Sequence, residues 1–406
     1  MKYIYFLFFA ILFISCSGNK REFKEFNQYG NIDRSNDYSL IGDFNFTIVN
    51  PTKISLNDFS GCYRTPLYLE EENFVVATDD SKVSLIRVDS VIWSYKVKDS
   101  VNLLSSVVAD ISRNLYFINL NGELISLDKN GKERFTKKLN ISSNQFFTVS
   151  EPLIIKDKLI IGTNDGSLFK FDTSGKEKWN KKFSLGISSV FSADEDEILY
   201  IGLTNDLFET SDTLITVDKN GKEIKRKALD NFRILSPIIN KDKKIYIAGG
   251  KRSIYGVSSE ILCLDQNLTI LWKREVPVLV NQLSHNGKLL FVGGFSSGIN
   301  EYYTGLYAYD LEGKEEWKNY LDVKLSSPLF IGEDYFMISG TNENGGAIFI
   351  LTNSDGELIK THSLSNQTPL YLVPTVSDNR DLNFFGSQTL FLVKLTETAL
   401  DKLLPY

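Results

Sequence analysis

The chain has 406 residues, 42% hydrophobic, 24% charged and 13% aromatic, a globular composition that excludes a disordered, collagen-like or multi-span membrane protein. With 45 basic and 51 acidic residues the net charge is −6, and no basic run appears, so nothing in the charge argues for nucleic acid binding. Only two histidines, His285 and His362, are present, leaving histidine-based acid–base chemistry and His-rich metal sites little material, whereas 28 Phe, 19 Tyr and 27 Gly suit strands separated by tight turns.

Met1-Lys2 precedes an apolar run from Tyr3 to Ile14 and then Ser15-Cys16-Ser17-Gly18, the charged start, apolar middle and small-residue exit of a secretory signal. The run is too short to span a bilayer as a stable helix. Cys16 directly after Phe13-Ile14-Ser15 resembles the lipobox of bacterial lipoproteins, in which that cysteine becomes the acylated N-terminus. The alternative is an ordinary signal peptide or uncleaved anchor with an incidental Cys16. The expected organisation is a signal peptide over residues 1–15, a lipidated Cys16 with a polar tether over 16–40, and a folded body over 41–406.

From Arg64 onward one phrase recurs: a short apolar strand after a small residue or proline, a polar turn, a second apolar strand, another turn, a third strand ending in Asp, and a turn into a strand with Trp. Its clearest copy runs from Pro152 to Trp179. Starts fall at Pro66, Ser106, Pro152, Ser189, Pro237, near Leu283, Pro328 and Pro374, giving eight units of about 44 residues. Four short strands at that period describe a propeller blade. The expected fold is all-β: an eight-bladed β-propeller of four-stranded antiparallel blades.

Within the units, Asp89, Asp128, Asp172, Asp218, Asp265 and Asp310 end third strands, and Gly131, Gly175, Gly221 and Gly313 follow three residues after four of them. An Asp that accepts from turn N–H groups and a Gly that takes positive φ make a tight hairpin. A calcium loop needs further oxygen donors and a closing Glu, which these turns lack. Trp179, Trp272 and Trp317 follow their Asp by seven residues, Phe135 takes that place in the second unit, and Trp93 follows a shortened turn. Recurrence at one blade position marks them as inter-blade packing residues. Lys225 and Lys360 stand where Trp is expected in units four and seven.

The eighth unit supplies three strands, but its tail from Thr396 to Tyr406 suits a fourth poorly. The apolar stretch between Asp43 and Leu56 is expected to supply that strand from the other end of the chain and close the ring. Cys62 and Cys263 fall in nonadjacent blades and are expected to be free buried thiols. His285, in a first turn, and His362, in an outer strand, are expected at the surface.

The segments Leu168–Trp179 and Leu306–Trp317 resemble the repeats of quinoprotein-like (PQQ-type) β-propellers, a similarity that covers nearly all of the chain after residue 60. Catalytic members of that family imply a quinone cofactor with a calcium site, an Asp base and commonly an adjacent Cys pair. This chain has no adjacent Cys pair, no haem-attachment motif and no acidic cluster on its first strands. The expectation is therefore a protein that is not an enzyme and uses no cofactor. The alternatives are a quinone-dependent dehydrogenase or a small-ligand-binding propeller using the central channel. Signal, cysteine, tether and eight units together resemble the propeller lipoprotein subunit of the outer-membrane β-barrel assembly machinery. That resemblance implies a lipid-anchored scaffold, in the outer membrane and facing the periplasm, with protein partners from that machinery.

One feature marks a surface. The connection between second and third strands is short in units one to three but long at 203–213, 249–260 and 294–305, with a smaller extension at 341–346. Equivalent connections of consecutive blades emerge side by side and form one wall. It carries Phe208, Lys251, Arg252, Tyr255, Phe295, Tyr302 and Tyr303, an aromatic and basic mixture enriched at interface hot spots. The alternative is that these aromatics fold back on their own blades.

Overall fold

The computed structural model describes residues 46–48, 52–55, 67–70, 73–78, 80–87, 90–103, 105–141, 149–187, 190–204, 211–253, 256–295, 304–321 and, between 323 and 397, strands and their turns. The leader, Cys16, the segment to residue 40, Cys62 and Asp89 lie outside the described residues.

Among the described residues, eight sheets of four or five antiparallel strands follow one another along the chain, joined by one separate two-stranded pair. The third sheet shows why each forms. Leu153–Ile155, Lys158–Gly162 and Ser167–Asp172 are almost wholly buried runs, because both faces are covered by neighbouring sheets. Glu177–Lys182, the last strand of the sheet, alternates between half-buried and exposed along its first residues, as an outer edge should. Six of the nine prolines (Pro66, Pro152, Pro237, Pro277, Pro328 and Pro374) stand one or two residues before first-strand segments, where a missing N–H is tolerated at a sheet edge.

First strands of sheets two and three, four and five, and five and six touch one another, and Leu67–Glu70 of the first sheet touches Thr375–Val376 of the last, so the ring is closed. The eighth sheet is completed from the N-terminal side: Thr52–Ser55 pairs with Thr389–Val393, placing Ile54 opposite Leu390. The expected closing strand is thus present. Phe46–Ile48 adds a further pair with Leu395–Glu397, a use of the tail that the sequence did not suggest. The cores lie between sheets. Val75 and Leu85 of the first pack with Leu115 and Phe117 of the second, and Tyr246 and Cys263 of the fifth pack with Leu290 and Tyr307 of the sixth.

The turn chemistry follows the expected pattern. Asp172 Oδ1 accepts from the N–H groups of Ser174 and Lys176 at 3.0 Å each, and Asp128, Asp218, Asp265 and Asp310 accept in the same way. Although partial burial pulls upward, hydrogen bonds from Lys178, Ser174 and the turn amides hold the Asp172 carboxyl well below the ordinary carboxylate range.

Each outer-strand aromatic packs on the turn of the next sheet. Trp93 lies against Gly131, Phe135 against Gly175, Trp179 against Gly221, Trp272 against Gly313 and Trp317 against Gly356. The four indoles also donate Nε1–H to a carbonyl of that turn, namely Lys129, Lys219, Leu311 and Ser354. Lys225 replaces the tryptophan and keeps the contact by donating Nζ–H to Gln266 O at 2.8 Å and Asn267 Oδ1 at 2.6 Å. The turn it reaches carries Leu268 instead of glycine, at φ 62° and buried.

Two expectations concern buried side chains. Cys263 is a free, buried thiol, pushed up to about 11 by burial. His285 is not a surface residue. It ends the strand Leu279–His285 with no exposed area, its ring 4.9 Å from that of Tyr246, and its Nδ1 accepts from Gly287 N–H at 2.8 Å. The first strand of the sixth sheet runs on through His285, which the sequence reading places in the following turn, so the imidazole falls between sheets five and six.

Candidate functional site

In an antiparallel four-stranded blade, the connections between second and third strands leave from the same face as the linkers to the next blade. Three equivalent positions of third strands, each six residues before the turn Asp, lie at the root of these connections: Asp212 opposite Leu229, Ser259 opposite Val276 and Thr304 opposite Leu321. All three polar side chains are buried. Asp212 Oδ2 accepts from Ile234 N–H at 2.8 Å, and Ser259 Oγ accepts from Val280 N–H at 2.9 Å, so each ties the linker entering the next sheet to the root of its own connection. Burial pushes the Asp212 carboxyl upward, against the Ile234 N–H. The residue types are those that hydrogen-bond to backbone at short range, and their repeated placement gives the wall a fixed footing.

The linkers approach closely because glycines stand opposite them. Arg233–Ile234 pairs with Gly250 and Gly249, and a Cβ at Gly249 would lie 1.9 Å from Arg233 O. Gly294 plays the same part against Leu279 O in the sixth sheet, at 2.5 Å.

In the fifth sheet the expected connection over 249–260 is corrected. It is not a loop but a continuation of both strands: Lys244–Ser253 and Gly256–Asp265 stay in register through Lys251↔Ser258 and Arg252↔Val257 to Ser253↔Gly256. The ladder therefore extends three residue pairs past Gly250↔Ser259, about 10 Å of added hairpin. The two strands that it prolongs both touch Leu279–His285 of the sixth sheet. In the sixth sheet the strands reach Phe295 and resume at Thr304, which face each other in register, and in the fourth they reach Thr204 and resume at Asp212.

Of the seven wall residues singled out from the sequence, Lys251, Arg252 and Phe295 lie on these strands. Phe208, Tyr255, Tyr302 and Tyr303 lie outside the described residues. Sequence reasoning missed Asp212, Ser259 and Thr304. Their signal was a polar residue six positions before the turn Asp of the third strand, visible only once the strands are aligned. Among the described residues, no group of three or more His, Cys, Asp or Glu side chains is placed to hold a metal ion.

The comparisons with known proteins agree with this architecture. A PQQ-type family model described as "Outer membrane protein assembly factor BamB" matches residues 79–320. Among solved structures, BamB from Moraxella catarrhalis is similar at 19% identity, with 87% of this chain and 99% of that chain covered and a TM-score of 0.62. The Dos1 propeller is similar at 11% identity, covering 86% of this chain and 95% of that one with a TM-score of 0.64. The C-terminal WD40 domain of Sif2 is similar at 11% identity, covering 87% and 100% with a TM-score of 0.64. At these identities the structures speak for the propeller fold alone. No curated protein sequence matches the chain.

Proposed function

The chain belongs to the family of the outer membrane protein assembly factor BamB, and from that membership we propose that it is a noncatalytic scaffold that docks protein partners at the cell envelope. In this reading Cys16 carries the lipid anchor, the segment to residue 40 is a tether, and the propeller works in the periplasm from the outer membrane. The partner belongs to the machinery that assembles outer-membrane β-barrels.

The observation that carries the docking site is the fifth-sheet hairpin, whose ladder continues three pairs beyond Gly250↔Ser259 to Ser253↔Gly256. A paired hairpin presents Lys251 and Arg252 on a backbone already ordered, so less conformational entropy is lost when a partner binds. The proposed mechanism is rigid docking. The ring fixes the geometry of the wall, and membrane attachment raises its effective concentration near envelope partners. No bond is made or broken.

The test is a pull-down from envelope extract comparing the wild-type chain with Arg252→Ala, Tyr255→Ala, Tyr302→Ala and Tyr303→Ala combined. Loss of a stoichiometric partner, with the melting transition kept, supports the wall. An unchanged partner set removes it.

A further inference from the structure

The outer strands distribute charge unevenly around the ring. Residues 128–138, 172–182 and 218–227, which form the third-to-fourth turns and outer edges of sheets two, three and four, hold 14 basic and six acidic residues. The equivalent stretches of sheets five, six and seven, residues 265–275, 310–320 and 353–363, hold five basic and eight acidic ones. A chain of net charge −6 thus gathers an excess of eight positive charges on three consecutive edges. The sequence shows no basic run because these segments recur only once per blade. Folding brings them together.

Lys132, Lys176 and Lys222 hold one equivalent position after the turn glycine in the three sheets, and all are exposed. Ion pairs within the surface, Lys178 with Asp172 at 2.7 Å and Arg226 with Glu223 at 2.8 Å, are already counted in that excess, while Lys182 pairs at 2.6 Å with Asp165, outside these segments. Twelve of the 14 basic residues are lysines. Lysine is a mobile point charge without the planar fork that reads a particular carboxylate, so the surface suits a diffuse array of anions. Between the second and third sheets it deepens into a cavity of about 330 Å³ lined by Asn140, Asn180, Lys181 and Lys182 over Phe169, a polar mouth with an apolar floor.

We propose that the basic rim of sheets two to four is a docking surface for an anionic bilayer, with lipid phosphates meeting the lysines and one headgroup seated in this cavity. Access to a bilayer rests on the membrane-tethered reading above. A peptide paired along one outer strand, such as Glu177–Lys182, would meet the cations of one sheet, whereas a bilayer meets those of all three edges, which favours the lipid surface. A propeller standing on this rim turns its two faces sideways and leaves the wall of sheets four to six open to partners beside it.

The experiment is flotation of the full chain with vesicles of phosphatidylcholine alone and of phosphatidylcholine with about one-third phosphatidylglycerol, at low salt. A lipid anchor acts on both vesicle types, so the difference between them reads the rim, while binding to neutral vesicles reads the anchor. The wild-type chain is expected to favour the anionic vesicles by about tenfold. The Lys132→Glu, Lys176→Glu and Lys222→Glu triple variant loses that preference with its melting temperature unchanged, and Lys314→Glu, at the equivalent position of the sixth sheet, keeps it. Equal partition of the wild type, or a preference retained by the triple variant, overturns the inference. Tighter binding of soluble polyglutamate than of anionic vesicles also overturns it, in favour of an acidic protein. Preference for anionic vesicles without binding to neutral ones leaves the rim standing and removes the anchor.

Discussion

The indole of Trp272 occupies the space that a side chain at Gly313 would need: a Cβ there would lie 2.7 Å from Trp272 Cδ2, on a residue whose φ is +80°. The contact joins the outer edge of the fifth sheet to the turn of the sixth, and Trp272 Nε1–H donates to Leu311 O at 3.0 Å in the same turn. Gly313→Ala meets both the positive φ and the ring, and is expected to cost about 1–3 kcal/mol. Urea unfolding of Gly313→Ala, Trp272→Ala and the double variant checks it. The double variant should be less destabilised than the sum, because removing the indole removes the clash.

Lys225 and Leu268 make the complementary case. Where the outer strand carries lysine, the next turn carries a residue with a side chain, and Leu268 packs in the core between sheets four and five. Lys225→Trp alone is expected to destabilise by about 1–2 kcal/mol through overpacking. In the Lys225→Trp, Leu268→Gly double variant the coupling should be favourable, by about 1 kcal/mol. Additive effects would mean that the glycine and the aromatic are not a matched pair.

Ring closure depends on Thr52–Ser55, which is remote in sequence from the strand it pairs. Ile54→Pro removes one backbone donor and distorts the pairing with Leu390. The melting temperature should fall, and protease cleavage in the eighth sheet should precede cleavage in the third. A single cooperative transition at the wild-type temperature would show that the strand is dispensable.

Two carboxylates predict opposite responses to acid. Asp172 is held below its ordinary value of 3.8, so it contributes stability above that value, and the contribution is lost as pH falls toward its folded-state value. Asp172→Asn should lower stability at pH 7 and flatten its decline below pH 4. Asp212 is raised from 3.8 by burial, so its charged form weakens the fold above the raised value and protonation relieves this. Asp212→Asn retains an acceptor for Ile234 N–H and should be at least as stable as wild type at pH 7. Chemical denaturation between pH 2.5 and 7 checks both signs.

The parts of the molecule that were legible in the sequence are those set locally. Asp172 and Gly175 make their turn from four residues, and an aromatic seven positions after Asp265 reaches the next turn whatever lies between. The parts that were not depend on neighbours. His285 reads as a turn residue until the register of Leu279–His285 places it against Tyr246. The hairpin through Lys251 and Arg252 carries no apolar alternation between Lys251 and Ser258, and so it reads as a loop until the register through Ser253↔Gly256 pairs it. The basic rim is invisible for a third reason: Lys132, Lys176 and Lys222 are 44 and 46 residues apart and become neighbours only through the propeller's rotation.

The most direct test of the scaffold reading is site-specific photo-crosslinking in living cells. The probe is placed at Arg252 or Phe295 on the wall, and at Asn130 or Asn220 in turns of the opposite face. The account predicts one discrete adduct of a β-barrel assembly protein from the wall positions and none from the turns. Adducts from the turns alone, or none from the wall in a chain that is present and folded, would contradict it.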